Sequence, residues 1–145
     1  MGLVLVGFDG SPSSRRATEL AARRSRAHGD ELALVTVVPR QVIDSSLADL
    51  MPAGFQLPPE LSRTFHENAR TRLEEVAAAL RQGGAKVQTH VRAGDAGATL
   101  LQMSEELHAA ELVIGQKAFE DPRQPMGRNA ALVLRGAKVP VTIVP

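Results

Sequence analysis

The pattern of apolar and polar positions along the chain indicates five strands. Residues 3–8, 32–38, 111–115 and 139–144 are nearly continuous apolar runs. Such runs are typical of strands that are buried on both faces of a parallel sheet. Residues 87–91 instead alternate apolar and polar side chains, which predicts a half-exposed strand at an edge of the sheet.

A first helix is predicted between a turn at residues 9–11 and Gly29. Ser11 or Ser13 caps its N-terminus, and Pro12 lies in the first turn, where its missing N–H breaks no hydrogen bond. Gly29 ends the helix. The predicted apolar stripe of this helix consists of Ala17, Leu20, Ala21 and Ala27.

Three more helical segments are predicted between the later strands. Apolar residues at steps of three and four define the longest, which ends at Gly83 and Gly84. Its stripe consists of Leu61, Phe65, Ala69, Leu73, Val76 and Leu80. Another follows Gly94–Asp95 and runs through Leu107, and the last lies between Gly127 and the final strand. Residues 40–58 lack periodicity and are predicted to form a long connection.

Five strands alternating with four helices predict an α/β fold: one domain over residues 1–145, with an open parallel sheet and helices on both faces. Ligands of such sheets bind at the carboxyl ends of the strands. The residues that follow those ends are Asp9, Val37, Val38, Arg92, Ala93, Gly94 and the segment from Gly115 onward.

The segment between Gly115 and Asn129 is the predicted phosphate-binding segment. Glycines at a strand end and at a helix start allow close approach of phosphate, and free amides at the helix start favour an anion. Its charged residues are Lys117, Glu120, Asp121, Arg123 and Arg128, with a net charge of +1. Because Pro122 and Pro125 remove two amide donors, an irregular loop with ordinary turn glycines remains an alternative.

Asp9 also has two interpretations. Its carboxylate could accept hydrogen bonds from ribose hydroxyls or from an adenine amine. Alternatively, it forms only an Asx-turn with the amides of Gly10 and Ser11.

Composition excludes several classes of function. A net charge of +1 argues against nucleic acid as the main partner, and the absence of cysteine excludes disulfides and thiolate catalysis. No apolar stretch approaches 18 residues, so no membrane span is predicted and a cytoplasmic location is expected. The four histidines are scattered without metal-binding spacing, and no Walker A, dinucleotide-binding or nucleophile-elbow motif occurs. The arginines of the first helix are interpreted as a solvated face, with an anionic partner as the alternative.

Taken together, the chain resembles the universal stress protein family. The likeness rests on the opening strand with its acidic turn at residues 4–11, the second strand at 34–38, residues 91–101, and the last two strands at 111–115 and 139–141. It covers nearly the whole chain except residues 40–60.

This resemblance implies a sheet of order 3-2-1-4-5, similar to adenine nucleotide α-hydrolase-like folds, and a homodimer formed through the C-terminal strand at Val141–Val144. In one branch of the family it also implies ATP at the strand ends. The predicted nucleotide-binding residues are Asp9, Val37, Gly115, Lys117, Gly127, Arg128 and Asn129, of which the resemblance implies Asp9, Val37, Gly115 and Gly127.

The implied phosphate motif is incomplete in this chain. Its pattern is glycine, two residues, glycine, nine residues, glycine, then serine or threonine. Ala118 replaces the second glycine, only eight residues separate it from Gly127, and Arg128 replaces the hydroxyl residue. We therefore expect weak binding of ATP or a related adenine nucleotide, with slow hydrolysis at most and no catalytic or metal-binding residues. The alternatives are a dimeric scaffold that binds no nucleotide and a small adenylate-handling hydrolase.

Overall fold

The computed structural model of the chain describes residues 2–38, 59–116 and 128–145. The described strands are β1 (Leu3–Gly7), β2 (Glu31–Val38), β3 (Lys86–Ala93), β4 (Glu111–Gly115) and β5 (Val141–Val144). The described helices are α1 (Pro12–His28), α2 (Pro59–Gln82), α3 (Ala96–Glu106) and α4 (Arg128–Gly136). The connection predicted at 40–58 lies outside the described residues, as do Lys117, Ala118 and Gly127.

The five strands form one parallel sheet in the order β3-β2-β1-β4-β5. This confirms the fold class and the strand order. Leu5 of β1 lies in register with Ala33 on one side and with Leu112 on the other, and all three are fully buried. The central strands are therefore the apolar ones, as the continuous runs predict.

Helices cover both faces of the sheet, and each face has its own apolar cluster. On one face, Val6 and Leu34 pack with Ala21 of α1 and Leu73 of α2. On the other face, Leu5 and Val35 pack with residues of α3 and α4: Leu100, Met103, Ala130 and Val133. Because successive side chains of a strand point to opposite faces, each central strand contributes to both clusters.

Local capping sets the limits of α1. Ser11 is its N-cap and accepts a hydrogen bond from the Ser14 N–H at 3.2 Å, and Gly29 ends it in the left-handed conformation with φ of 73°. The role of Gly29 was predicted from sequence, and Ser11 was one of the two predicted caps, the other being Ser13. The predicted stripe was partly wrong. Leu20 is only half-buried and Ala27 is exposed.

Hydroxyl residues occupy the buried face of α1 instead. Thr18 donates to the Ser14 carbonyl at 2.8 Å, and Ser25 donates to the Ala22 carbonyl at 3.2 Å. These side chains are buried because the backbone of their own helix satisfies their hydroxyls, so they pack much as alanine does. A hydrophobicity pattern does not detect them.

Three further details differ from the sequence prediction. The stripe predicted for α2 is not fully buried by the described residues, since Phe65 is 47% exposed and Ala69 is half-buried. The last strand begins at Val141 rather than at residue 139, and its residues are half-buried because β5 is an edge strand.

β3 is the other edge, as its alternating pattern predicts. None of the described helices is both long and apolar enough to cross a membrane.

Candidate functional site

A cavity of about 160 Å³ lies at the carboxyl ends of the central strands. Strands β1, β2 and β4 supply its base, and the N-terminal turns of α1, α3 and α4 surround it. Of the seven predicted site residues, the five described ones all line it: Asp9, Val37, Gly115, Arg128 and Asn129. The other two, Lys117 and Gly127, lie outside the described residues.

The apolar wall of the cavity was not predicted. It is formed by Val35 and Ile114 from the sheet and by Leu100, Ala130 and Val133 from the helices. All five are buried, and the sequence marked them only as apolar positions of helices and strands. An apolar wall with a few polar groups is typical of small-molecule sites.

Asp9 lies at the mouth of the cavity, where it is exposed. Its Oδ1 accepts the Ser11 N–H at 2.9 Å, so the Asx-turn interpretation holds for Ser11. The turn does not exclude a ligand contact, because a carboxylate has two oxygens and about four lone-pair positions. Asp9 therefore has a structural role and also borders the cavity.

Gly115 is glycine for a packing reason that sequence reasoning missed. A Cβ atom at this position would lie 2.6 Å from the carbonyl carbon of Ser13 and from the amide nitrogen of Ser14. The end of β4 thus approaches the first turn of α1 too closely for any side chain. Gly115 lines the cavity. Even the smallest side chain at this position would collide with the backbone of α1, so the requirement for glycine comes from packing and not from a ligand.

Three helix N-termini meet at the cavity. The cavity is lined by Ser11 and Ser14 at the start of α1 and by Ala96 at the start of α3. It is also lined by Arg128 and Asn129, the first residues of α4. The positive ends of the three helix dipoles favour an anion at this place. This electrostatic environment depends on the fold, because the helices begin at residues that are far apart in the chain.

Arg128 is the cationic side chain that lines the cavity within the described residues. It is exposed, and it makes no hydrogen bond or ion pair with the other residues that the structure describes. Its guanidinium is therefore available to pair with a phosphate or carboxylate of a ligand.

Asn129 joins the N-termini of α3 and α4. Its Oδ1 accepts the Gly97 N–H at 3.2 Å, while Asp95 caps the same helix by accepting the Ala98 N–H at 3.2 Å. Gly97 permits this close helix contact, since a Cβ there would lie 2.9 Å from Cδ2 of Leu132. One predicted binding residue is thus also a structural link.

The β3 side of the cavity carries two basic residues in register with its wall. His90 pairs with Val35, and Arg92 pairs with Val37, which lines the cavity. Partial burial lowers the pKa of His90, and repulsion by the Arg92 guanidinium lowers it further. His90 is therefore neutral near pH 7 and contributes no cation to this side.

No group of three or more histidine, aspartate or glutamate side chains in the described part of the chain could hold a metal ion. The described site is thus defined by an apolar cavity, a carboxylate at its mouth, an exposed arginine and three helix N-termini. Fold and site together define an α/β protein with a ligand cavity at the carboxyl edge of an open parallel sheet.

Comparisons with known proteins identify the family. The family model of the universal stress protein family matches residues 1–145. The chain therefore belongs to the universal stress protein family, as the sequence resemblance indicated.

One curated relative and two solved structures illustrate the similarity. The chain is 35% identical over 86 residues to universal stress protein G of Salmonella typhimurium, and the match spans 57% of this chain and 61% of that protein. It is similar to a universal stress protein from Archaeoglobus fulgidus in complex with dAMP (TM-score 0.69, 21% identity, 100% of this chain and 98% of that chain). It is also similar to a universal stress protein in complex with cAMP (TM-score 0.71, 24% identity, covering 99% of this chain and 96% of that chain).

Proposed function

We propose that this protein binds an adenine nucleotide, such as ATP, in the cavity at the carboxyl edge of its sheet. The observation that carries the proposal is the convergence of Asp9, Val37, Gly115, Arg128 and Asn129 on one cavity. These residues come from four separate segments of the chain, which the fold brings together at one place.

The chemistry of the cavity supports a ligand with an apolar, planar part and an anionic part. The wall made by Val35, Leu100 and Ile114 suits a purine ring, and backbone of Val37 is the proposed partner of the base edge. Asp9 is the proposed partner of the ribose hydroxyls. Arg128 and the helix N-termini are the proposed partners of the phosphates.

Two structures with similar folds are described as complexes with dAMP and with cAMP. Both ligands are adenine nucleotides with a single phosphate. Their similarity to this chain is in fold, so they support the ligand class and not its phosphate number.

We expect weak binding, since the phosphate motif lacks its second glycine and its hydroxyl residue at Ala118 and Arg128. Each lost hydrogen bond to a charged phosphate removes about 1.5–3 kcal/mol, or roughly tenfold to a hundredfold in affinity. Arg128 offsets part of this loss by direct charge pairing. Hydrolysis is expected to be slow at most.

Calorimetric titration with ATP, AMP and cAMP, each with and without magnesium, tests the proposal. We expect a saturable heat for at least one nucleotide, and a matching rise in the melting temperature of the protein. Absence of binding at millimolar nucleotide, with folding confirmed by circular dichroism, would reject the proposed function.

The second candidate function is a dimeric scaffold in the cytoplasm. The observation that favours it is β5, an edge strand whose four residues Val141–Val144 are all half-buried and mostly apolar. An apolar edge strand is suited to pairing with a second copy. Nucleotide binding and dimer formation are compatible, and the protein is proposed to act in the stress response through either or both.

A further inference from the structure

The side-chain amide of Asn129 has a fixed orientation. Its Oδ1 accepts the Gly97 N–H at 3.2 Å. The reverse orientation would place the NH2 group against that N–H, so that two donors would face each other. The oxygen of Asn129 is therefore committed to α3, and its NH2 group is the polar group that remains.

The packing around this contact holds Asn129 in place. Gly97 is buried, and a Cβ there would lie 3.4 Å from Asn129 Oδ1 and 2.9 Å from Leu132 Cδ2. The two helices are thus in close contact at the level of Asn129. Rotation of the amide would break its hydrogen bond in a place with little free volume.

Asn129 lines the cavity beside Arg128. Its contact with Gly97 is the hydrogen bond that its side chain makes within the described residues, and its NH2 group has no protein acceptor there. We propose that Asn129 is a specificity-determining residue, whose NH2 group donates a hydrogen bond to an anionic oxygen of the ligand next to the Arg128 guanidinium. The inference rests on the proposed nucleotide-binding function and assigns this residue a direct role in recognition of the phosphate.

The sharpest variant is Asn129→Asp. A carboxylate has the same shape as the amide and still accepts the Gly97 N–H, so the link between α3 and α4 is retained. Its second oxygen, however, replaces the NH2 donor with a negatively charged acceptor. We expect the affinity for ATP to fall at least about tenfold, because a charged hydrogen bond is lost and a repulsion is added.

Adenosine and a matched variant serve as controls. Adenosine has no phosphate, so its affinity for Asn129→Asp should change by less than about threefold, well under the tenfold step that one lost charged hydrogen bond causes. The control variant is Asp95→Asn, an exchange at the exposed N-cap of α3, the helix that Asn129 contacts; Asp95 does not line the cavity. Asparagine caps helices as well as aspartate does, so this variant should bind both ligands as the unsubstituted protein does.

Nuclear magnetic resonance of the unsubstituted protein provides a test that needs no variant. The side-chain NH2 signals of Asn129 should shift on addition of ATP and remain nearly unchanged on addition of adenosine. Unchanged signals at saturating ATP would overturn the inference.

The outcomes distinguish the inference from the proposed function. If the unsubstituted protein binds no adenine nucleotide, both are overturned. If it binds ATP and Asn129→Asp binds it equally well, or loses ATP and adenosine affinity to the same extent, only the inference is overturned. A loss confined to ATP, with the melting temperature retained, supports it.

Discussion

Gly115 ends β4 directly against Ser13 in the first turn of α1, where a Cβ atom would lie 2.6 Å from the Ser13 carbonyl carbon. The contact involves backbone, so a side chain at position 115 could be accommodated only if α1 moved. The same turn of α1 contributes Ser11 and Ser14 to the cavity. The close contact between Gly115 and Ser13 thus sets the distance between two walls of the site.

Gly115→Ala should therefore destabilise the protein by about 1–3 kcal/mol or more, because the added methyl group can be accommodated only by a shift of the backbone. Denaturant unfolding measures the change in the free energy of unfolding. The control is Gly136→Ala, where the nearest atom to the new Cβ is the flexible Leu101 side chain at 2.7 Å. If both variants lose the same stability, the backbone contact is not the cause.

The edge strand β3 supplies a pH-dependent contact with α2. The Thr89 hydroxyl donates to the Glu74 carboxylate and is the largest cause of the lowered pKa of Glu74. The Arg81 guanidinium, 3.3 Å away, and Arg70 lower it further, while partial desolvation acts in the opposite direction. Since the folded pKa is below the usual 4.5, the unfolded chain binds more protons at acidic pH.

The stability from this contact is thus fully present above about pH 4.5 and is lost as the pH falls through the lower folded pKa. Thr89→Val should raise the pKa of Glu74 toward 4.5 and remove part of that pH dependence, as measured by proton titration of the Glu74 side chain in nuclear magnetic resonance. Thr71→Val is the control, because the Thr71 hydroxyl donates only to the Glu67 carbonyl. A pKa of Glu74 that is unchanged in Thr89→Val would contradict the assignment.

Arg128→Gln should weaken ATP binding about tenfold and leave adenosine binding nearly unchanged, because it removes the cation of the cavity wall and leaves an uncharged polar side chain. Calorimetry measures both affinities. Arg135→Gln serves as the matched control, since Arg135 lies in the last turn of the same helix and does not line the cavity. Equal losses in the two variants would show a general effect of charge.

Dimer formation through β5 can be tested at a single backbone amide. The Leu112 N–H donates to the Pro140 carbonyl and the Gln116 N–H donates to the Val144 carbonyl, so Val141 and Ile143 direct their backbone groups away from β4. Ile143→Pro removes an outward N–H and leaves the pairing with β4 intact. Light scattering should give twice the 15.5 kDa chain mass for the unsubstituted protein and a lower mass for this variant.

The control for that prediction is Ile143→Val, which keeps the N–H and most of the apolar surface. It should remain a dimer. A monomeric mass for the unsubstituted protein across micromolar concentrations would refute the dimer itself.

Most of the fold could be predicted from local patterns. The apolar run around Leu5 identifies a central strand, because a strand that is buried on both faces is apolar at successive positions. The alternation around Gln88 identifies an edge strand, because a strand that is buried on one face alternates apolar and polar residues. The caps Ser11 and Gly29 were predictable, since both act on their own helix. The buried stripe of α1 could not be predicted in this way. Thr18 is buried because its hydroxyl donates to a carbonyl of the same helix, and a hydrophobicity pattern does not show this hydrogen bond.

The sequence by itself determined the family, the order of elements and five of the residues at the cavity, because each is marked by short-range spacing or by a strand end. Only the tertiary structure decided what Gly115 and Asn129 do. The reason Gly115 must be glycine lies in Ser13, about a hundred positions earlier, and the orientation of the Asn129 amide is set by Gly97 in another helix. Contacts between residues far apart in the chain follow from packing, and no local pattern encodes them.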